Sequence, residues 1–264
     1  TKDPKWRQLQ FFWVKVYGII FAMGVATGVV MEFEFGMNWA EYSRFVGNVF
    51  GSLLAAEGVF AFFLEGGFLG LMLFGGNRLG PRMWFLASFM VVFGAHFSAI
   101  WITAANSWMQ TPAGYALQEE PLPVRAVMTD FWETVFTPSF VTRLMHVFFA
   151  SWTAGAALMA SVGAWYILRK PQFAGLGKAC LSISLPLFIV FSVANGFIFG
   201  PESAQSVAEN QPTKLAAMEG IWETEEDAGA YLFGWVDEGS GETIGLAVPG
   251  LLSFLSGQAV VTGI

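Results

Sequence analysis

Five long apolar stretches determine what this chain can fold into, because each is long enough to cross a membrane. A transmembrane helix needs about 20 predominantly apolar residues to span about 30 Å of hydrocarbon. Only 12% of the 264 residues are charged, against about 25% in ordinary globular proteins. The sequence therefore predicts an all-α fold, a polytopic membrane bundle of five transmembrane helices. These helices, segments A to E, are predicted at about residues 10–31, 52–74, 83–108, 140–168 and 175–199.

Residues 200–264 differ in composition from the segments before them. They are polar, acidic and rich in turn-forming residues, with an amphipathic helix predicted at TKLAAMEGIWET, residues 213–224. Short cytoplasmic loops retain Lys and Arg, and eight basic residues lie on the side of the N-terminus against four on the other side. We therefore expect a cytoplasmic N-terminus, a transmembrane domain over residues 1–199 and an extracytoplasmic loop region over residues 200–264.

The net charge of −7 belongs to that outer face. It gives no indication of nucleic-acid binding. The first residues have the character of the end of a cytoplasmic loop, so we expect the chain to be part of a larger protein.

Glu57 and Glu65 lie within segment B, and an ionisable side chain in hydrocarbon costs roughly 2.5 to 3.5 kcal/mol on insertion scales. Such residues are usually retained for a proton path, an ion site or a cofactor. On one continuous helix the two acids would share a broad face at two depths, separated by about 12 Å. This pattern predicts a proton relay or ligation of a buried metal centre. The alternative is a pair of neutral carboxyl groups that hydrogen-bond to neighbouring helices.

The chain has two histidines, His96 in segment C and His146 near the outer end of segment D. Imidazole is a usual axial ligand of haem iron. Ala150 and Gly155 follow His146 along the helix, and both are small enough to leave a flat recess beside the ring. His146 is therefore the candidate haem ligand, against the alternative of hydrogen-bonded packing, which we favour for His96.

Lys214 and Glu219 lie on the amphipathic helix predicted in the outer region, together with Trp222. A cation and a carboxylate beside an aromatic ring, close to the membrane surface, can bind the polar head of a quinol and accept its protons. If only their spacing is considered, the alternative is that Lys214 and Glu219 are ordinary solvated surface charges.

Three further features are typical of packing. Gly24 with Gly28 and Gly66 with Gly70 have the small-xxx-small spacing that lets transmembrane helices approach closely. Cys180 is the only cysteine, and we expect it to be a small buried apolar residue.

Several motifs, taken in order and spacing, resemble subunit I of the cytochrome bd quinol oxidases. The resemblance covers nearly the whole chain, and it suggests the cyanide-insensitive branch of the family. The motifs are ATGVVMEFEFGMNWAEYSRFVGNVFG, AAEGVFAFFLEGGFLG, FSAIWITAANSWMQTPAG, RLMHVFFASWTAGA and NQPTKLAAMEGIWET.

The resemblance implies a role for each candidate residue. His146 matches an axial ligand of the low-spin haem b558. Glu57 and Glu65 match acids of the high-spin haem region and its proton route, with Glu57 closer to the oxygen-reducing haem. Ser98 matches a polar residue near that route. The quinol-site residues of the family's periplasmic loop are matched by Lys214 and Glu219, beside Trp222.

The resemblance is to about the first half of that subunit without its first helix. The family's remaining haem ligands and its glycine-arginine-glutamine-proline-tryptophan motif have no counterpart here. The complete subunit is expected to hold haem b595 and haem d, or a further haem b. Its expected partners are subunit II, a small accessory subunit and membrane lipid.

The function implied is a respiratory-chain oxidoreductase of the prokaryotic cytoplasmic membrane. Such an enzyme oxidises quinol on the outer side and reduces O2 to water with protons from the cytoplasm. A haemless scaffold or assembly subunit, or a proton-coupled transporter that uses Glu57 and Glu65, is the alternative.

Overall fold

The computed structural model describes residues 4–34, 39–57, 63–75, 78–120 and 122–264. The chain divides into two compact units, Thr1–Thr137 and Pro138–Ile264, which we call unit 1 and unit 2. The elements of unit 1, in chain order, are α1 (Pro4–Phe33), α2 (Ala40–Ala56), α3 (Phe63–Gly75), α4 (Pro81–Gln110), β1 (Tyr115–Gln118), β2 (Arg125–Met128) and α5 (Phe131–Val135).

Unit 2 begins with two long helices and continues into a mixed region of short helices and strands. Its elements are α6 (Phe140–Arg169), α7 (Ala174–Ala194), a π-helical segment (Asn195–Phe199), α8 (Gly200–Asn210), α9 (Pro212–Glu219), β3 (Glu225–Glu226), β4 (Ala230–Asp237), β5 (Glu242–Val248), α10 (Leu251–Ser256) and β6 (Val260–Val261).

Four helical stretches among the described residues are long and apolar enough to cross a membrane. They correspond to predicted segments A, C, D and E, so the membrane helical class is confirmed. The last of the four continues beyond residue 199, because the π-helical segment joins α7 to α8. The stretches are Pro4–Gly28, Pro81–Gln110, Phe140–Arg169 and Pro171–Asn210.

Segment B, predicted as one helix over residues 52–74, is not described as a single span. The structure describes the end of α2 and the whole of α3, and residues 58–62 between them lie outside the described ranges. At 1.5 Å per residue, the 13 residues of α3 extend only about 20 Å. The predicted number of five spans is therefore not confirmed.

The described residues also form three short antiparallel sheets, which the sequence analysis did not predict. They pair β1 with β2, β3 with β6 and β4 with β5. In the longest, Trp235 lies opposite Ile244 and Phe233 opposite Leu246. Units 1 and 2 are separated by their compactness, and their boundary does not mark where the membrane ends. The predicted division at residue 199 into a membrane region and an outer region therefore stays a prediction.

One buried cluster of unit 1 lies between α3 and α4. Leu69 and Met72 of α3 are buried against Ala87 and Val91 of α4, where neighbouring residues of α1 also pack. In unit 2, α6 and α7 approach closely at Gly163 and Gly177, where a Cβ on Gly177 would lie 2.6 Å from the carbonyl oxygen of Gly163.

The glycines that form the close helix contact differ from those that the sequence pattern indicated. No described atom outside the helix lies within 4 Å of a Cβ built at Gly24, Gly28 or Gly70, whereas Gly66 faces Phe21. Cys180 is fully buried, as expected.

The outer helix predicted over residues 213–224 is shorter in the structure. α9 ends at Glu219 because Gly220 adopts a left-handed conformation with φ of 69°, which is the usual way a helix is terminated. Trp222 therefore lies beyond the helix end, and only Lys214 and Glu219 share the helix.

Candidate functional site

Glu57 lies at the C-terminal end of α2 and contacts α4. The hydroxyl of Ser98 on α4 donates a hydrogen bond of 2.7 Å to Oε1 of Glu57. The second carboxyl oxygen, Oε2, is buried and has no hydrogen-bond partner within the described ranges. The structure thus brings together two of the predicted site residues, and it leaves one oxygen of the carboxyl group available to a proton or a ligand.

Glu65 lies in the first turn of α3 and is only 8% exposed. The phenol of Tyr17 on α1 donates a hydrogen bond to its Oε1. The sequence analysis missed Tyr17, although a hydroxyl-bearing residue in an apolar segment is a signal for the partner of a buried acid. The predicted common helix face of Glu57 and Glu65 spans residues 58–62 and so falls outside the described residues.

His146 lies on α6 and is partly buried. Its Nδ1 is enclosed and has no hydrogen-bond partner in the described part of the chain. A Cβ built at Gly200 would lie 4.0 Å from Cε1 of this ring and 2.7 Å from the carbonyl oxygen of Asn195. Gly200 therefore leaves space beside the imidazole that a larger residue would fill. A Cβ built at Gly155, by contrast, meets no described atom within 4 Å.

The part of unit 2 around His146 also contains a polar side chain, that of Asn195, and several aromatic rings. Asn195, at the start of the π-helical segment, has a buried side-chain oxygen with no partner among the residues described. Phe149 stacks near Phe199, with ring centroids 4.3 Å apart, and contacts Trp152 and Phe191. π-helical insertions occur frequently at functional sites. Neither Asn195 nor Gly200 was a candidate from sequence.

His96 has a different environment. Its Nδ1 lies 2.7 Å from the carbonyl oxygen of Val92, one turn earlier on α4. This contact is the hydrogen-bonded packing that the sequence analysis favoured for His96, and it distinguishes His96 from His146.

The predicted quinol-site residues lie in unit 2, on α9 and directly after it. Burial, together with the positive charge of Arg143, lowers the pKa of the Lys214 ammonium below its usual value of 10.5. Glu219 is partly buried at the end of α9. Trp222 has an enclosed indole nitrogen without a partner in the described ranges, and its ring faces Gly241.

Arg143 was counted in the sequence analysis only for topology. It lies three residues before His146 on α6, so the two side chains occupy the same face of the helix one turn apart. The sequence did contain a signal for Arg143, because its charge lies one helical turn before the candidate haem ligand. Unit 2 thus contains His146, Arg143 and Lys214, whereas unit 1 contains the Glu57–Ser98 and Glu65–Tyr17 pairs.

Comparison with known proteins places this chain in a family. The profile of the family described as "Cytochrome bd terminal oxidase subunit I" matches residues 1–264. Cytochrome bd-II ubiquinol oxidase subunit 1 of Escherichia coli (strain K12) is 40% identical over 259 residues, which are 97% of this chain and 49% of that protein. Cytochrome bd ubiquinol oxidase subunit 1 of Bacillus subtilis (strain 168) is 36% identical over 97% of this chain and 54% of that protein.

A solved structure has the same fold. The bd oxidase from Geobacillus thermodenitrificans matches 99% of this chain and 60% of its own chain, with a TM-score of 0.87 and 32% identity. The chain spans about half the length of the curated relatives it matches. Because the family profile covers every residue, this chain belongs to the cytochrome bd terminal oxidase subunit I family.

Proposed function

We propose that this chain belongs to a terminal quinol oxidase, and that it supplies the quinol site and a haem ligand. Two quinol molecules give four electrons and four protons, and one O2 takes up four electrons and four protons to give two water molecules. The observation that carries the proposal lies in unit 2. There, the same face of α6 bears His146, whose buried Nδ1 has no hydrogen-bond partner in the described part of the chain, and Arg143, whose charge lowers the pKa of Lys214.

The surroundings of His146 fit a flat macrocycle. Nδ1 of the ring has no hydrogen-bond partner among the described residues, and Gly200 and Gly155 leave space nearby. The rings of Phe149 and Phe199 add flat aromatic surface. His146 would ligate the low-spin haem b558 through one ring nitrogen. Bound haem supplies one-electron transfer and, at the high-spin centre, the reduction of oxygen.

The second nitrogen of His146 needs an acceptor in such a site. A ligating histidine almost always donates its other N–H to a carboxylate, a carbonyl or water, which fixes the orientation of the ring. Asn195 has a buried Oδ1 without a donor among the described residues, and its backbone adjoins the same glycine as the ring. We assign Asn195 as the positioning residue that accepts the Nδ1–H hydrogen bond.

Quinol would bind near α9, where the charge of Arg143 acts on Lys214 and where Glu219 ends the same helix. The positive charges of Lys214 and Arg143 stabilise the oxygen of the quinol head as it loses its proton. Glu219 would accept that proton, and the ring of Trp222 would pack against the quinol ring. The lowered pKa of Lys214 makes this ammonium a stronger hydrogen-bond donor to the oxygen.

The acids of unit 1 would hold and transfer the protons consumed in oxygen reduction. Ser98 fixes one oxygen of Glu57, and Oε2 has no hydrogen-bond partner within the described ranges. Tyr17 fixes Glu65 in the same way. Two carboxyl groups, each oriented by a hydroxyl donor, are suited to proton transfer because the carboxyl stays in place while its proton is exchanged.

The remaining features of the proposal come from the family. The complete subunit would also hold haem b595 and haem d, or a further haem b, and would assemble with subunit II and a small accessory subunit in a bacterial cytoplasmic membrane. Quinol would be oxidised on the outer side, where residues 200–264 are expected, and the protons for water formation would come from the cytoplasm.

The test is a reduced-minus-oxidised spectrum of the purified complex, measured together with quinol-dependent oxygen uptake. We expect low-spin and high-spin haem signals and an oxygen uptake that requires quinol. A complex without haem signals would instead be a scaffold or a transporter, and the proposal would be wrong.

A further inference from the structure

The hairpin formed by β4 and β5 contacts the end of α9, and the proposed function gives this contact no role. Successive side chains of a strand point to opposite faces. On β5, Thr243 and Ala247 are partly buried, whereas Glu242, Ile244 and Leu246 between and beside them are exposed. Thr243 therefore lies on the inner face of the hairpin.

Thr243 is bonded to the residue that ends α9. Its hydroxyl donates a hydrogen bond of 2.6 Å to the carbonyl oxygen of Gly220. Gly220 directly follows Glu219 and has a φ of 69°. A Cβ built at Gly220 would lie 2.7 Å from the same hydroxyl oxygen. The side chain of Thr243 thus occupies the space beside this glycine and joins β5 to the helix that carries Lys214 and Glu219.

Thr243 is itself held in place by the hairpin. Val236 of β4 lies opposite Thr243 in the strand pairing. The phenol of Tyr231, also on β4, donates a hydrogen bond of 3.0 Å to the backbone carbonyl oxygen of Thr243. Side chains on strands are positioned more precisely than side chains on loops. The hydroxyl of Thr243 therefore reaches the end of α9 from a well-defined position.

The hairpin also contacts Trp222, two residues after the end of α9. A Cβ built at Gly241, in the turn before β5, would lie 3.9 Å from the indole ring. Ile221 is buried, and its backbone N–H donates a hydrogen bond of 2.9 Å to the carbonyl oxygen of Ala216. Gly220, Ile221 and Trp222 are therefore each fixed by a separate contact, two of which come from the hairpin.

We propose that Thr243 is a positioning residue of the quinol site, which holds the end of α9 so that the carboxylate of Glu219 faces the quinol head. This role rests on the proposed function, in which Glu219 accepts the proton of quinol. A base must lie within about 2.6–3.2 Å of the atom that gives up the proton, so a small displacement of the helix end slows the transfer. Thr243 acts through Glu219, because its own hydroxyl is bonded to Gly220.

The test is steady-state oxidation of decylubiquinol by the intact oxidase complex with Thr243→Val. Valine keeps the branched shape of threonine but cannot donate the hydrogen bond. We expect kcat/KM for the quinol to fall about three- to tenfold, the range that corresponds to one hydrogen bond. Haem content and the oxygen reaction of the fully reduced complex should stay as in wild type, because neither depends on the quinol site. Thr243→Ser retains the donor and should restore the wild-type kcat/KM.

Two further variants make the result specific to Glu219. In a complex that already has Glu219→Gln, the change Thr243→Val should lower kcat/KM little further, because residues that act as a unit have non-additive effects. Thr262→Val is the matched control. It replaces an exposed threonine of the same unit, directly after β6, and should leave kcat/KM unchanged.

The possible failures are distinguishable. A wild-type kcat/KM in Thr243→Val, together with an impaired Glu219→Gln, would overturn the role of Thr243 and leave the proposed quinol site intact. An unimpaired Glu219→Gln would overturn the quinol site itself. Full additivity in the double variant would also overturn the positioning role, as would a parallel loss of haem and turnover in Thr243→Val, because the hydrogen bond would then only support the fold.

Discussion

At the scale of single residues, three of the candidate side chains interact with one residue that is distant in sequence. Ser98 holds Glu57, and Tyr17 holds Glu65. Arg143 acts on Lys214 across the space between α6 and α9. In the two carboxyl pairs, the hydroxyl donor gives a polar group that is costly to bury a defined orientation, whereas Arg143 brings a like charge to bear on Lys214. Changes to the partners therefore test the roles of the candidates without removing the candidates themselves.

Tyr17→Phe should slow the oxygen reaction of the fully reduced complex while the haem content stays unchanged. The phenylalanine keeps the aromatic volume but removes the donor to Glu65. Glu65→Gln should slow the same reaction, because an amide cannot exchange a proton. The measurement is stopped-flow oxygen reaction with proton uptake for both single variants and the double variant. If the effects of the two single variants are fully additive, the hydrogen bond has no part in proton transfer.

Asn195→Leu should change the midpoint potential and the spectrum of the low-spin haem, because His146 loses the proposed acceptor for its Nδ1–H. Loss of such an acceptor typically weakens metal binding about 10- to 100-fold. Asn195→Asp retains an oxygen acceptor at the same position and should keep the haem bound. A Leu variant with an unaltered potential and spectrum would remove Asn195 from the site.

Lys214 should titrate below its usual pKa of 10.5, because burial disfavours its charge and Arg143 adds a like charge. The folded protein therefore releases the Lys214 proton at a lower pH than the unfolded chain does. Between these two pKa values stability rises with pH, and below both of them the cost of the buried charge is fully present.

Arg143→Gln should raise the pKa of Lys214. The pH dependence of amine labelling at Lys214 in the intact complex measures this pKa, with Lys178 as the reference amine in the same sample. A Lys214 profile that is the same in wild type and in Arg143→Gln would show that the two cations do not interact.

At the scale of elements, the close contact between α6 and α7 holds the helix of His146 in place. Gly177→Val should destabilise the complex by about 1–3 kcal/mol through overpacking, because a Cβ there meets the Gly163 carbonyl oxygen at 2.6 Å. Gly175→Val is the matched control on the same helix, where a Cβ meets no atom within 4 Å. Thermal unfolding of both variants measures the difference, and equal unfolding temperatures would contradict the packing.

The helices and strands also show which parts of the fold could be predicted from the sequence. Segments A, C, D and E were predictable because helix length in a membrane depends only on a local run of apolar residues. The end of α9 depends on the left-handed conformation of Gly220. The sequence analysis missed this end because the residues on both sides of Gly220 fit a helical pattern. The pairing of β4 with β5 had a signal in its two apolar runs around Gly239 and Gly241, but the polar, acidic character of the region obscured it.

The same limit applies to the candidate site. The residue types at Glu57, Glu65, His146 and Lys214 are unusual for their segments, and composition alone makes them candidates. Their partners are ordinary residues whose importance comes from tertiary packing. Gly200, for example, adjoins His146 only because the π-helical segment changes the path of the chain before α8. No local pattern contains that information.

At the scale of the whole molecule, the proposed chemistry is divided between two compact units. Unit 1 contains the two oriented carboxyl groups, and unit 2 contains the proposed haem ligand and quinol site. Each unit includes two of the four stretches that can cross a membrane. The account therefore predicts that variants in unit 2 impair quinol oxidation and the low-spin haem, whereas variants of the two acids impair oxygen reduction.

Lys214→Ala and Glu219→Ala test the quinol part of this division. Both should raise the quinol concentration needed for turnover or lower the maximal rate, while the haem signals stay as in wild type, because neither residue ligates iron in the proposal. Steady-state turnover with varied quinol, measured beside a haem assay of the same sample, gives the answer. Parallel loss of haem and activity would mean that α9 has a structural role instead.

The most direct test of the central claim is the reduced-minus-oxidised spectrum of the complex with His146→Ala. The account predicts that the low-spin haem signal is lost, because the iron loses a strong axial ligand. His96→Ala is the matched control, since its ring nitrogen lies against the Val92 carbonyl oxygen and is not assigned to iron, and its low-spin signal should remain. An unchanged low-spin spectrum in His146→Ala would contradict the account.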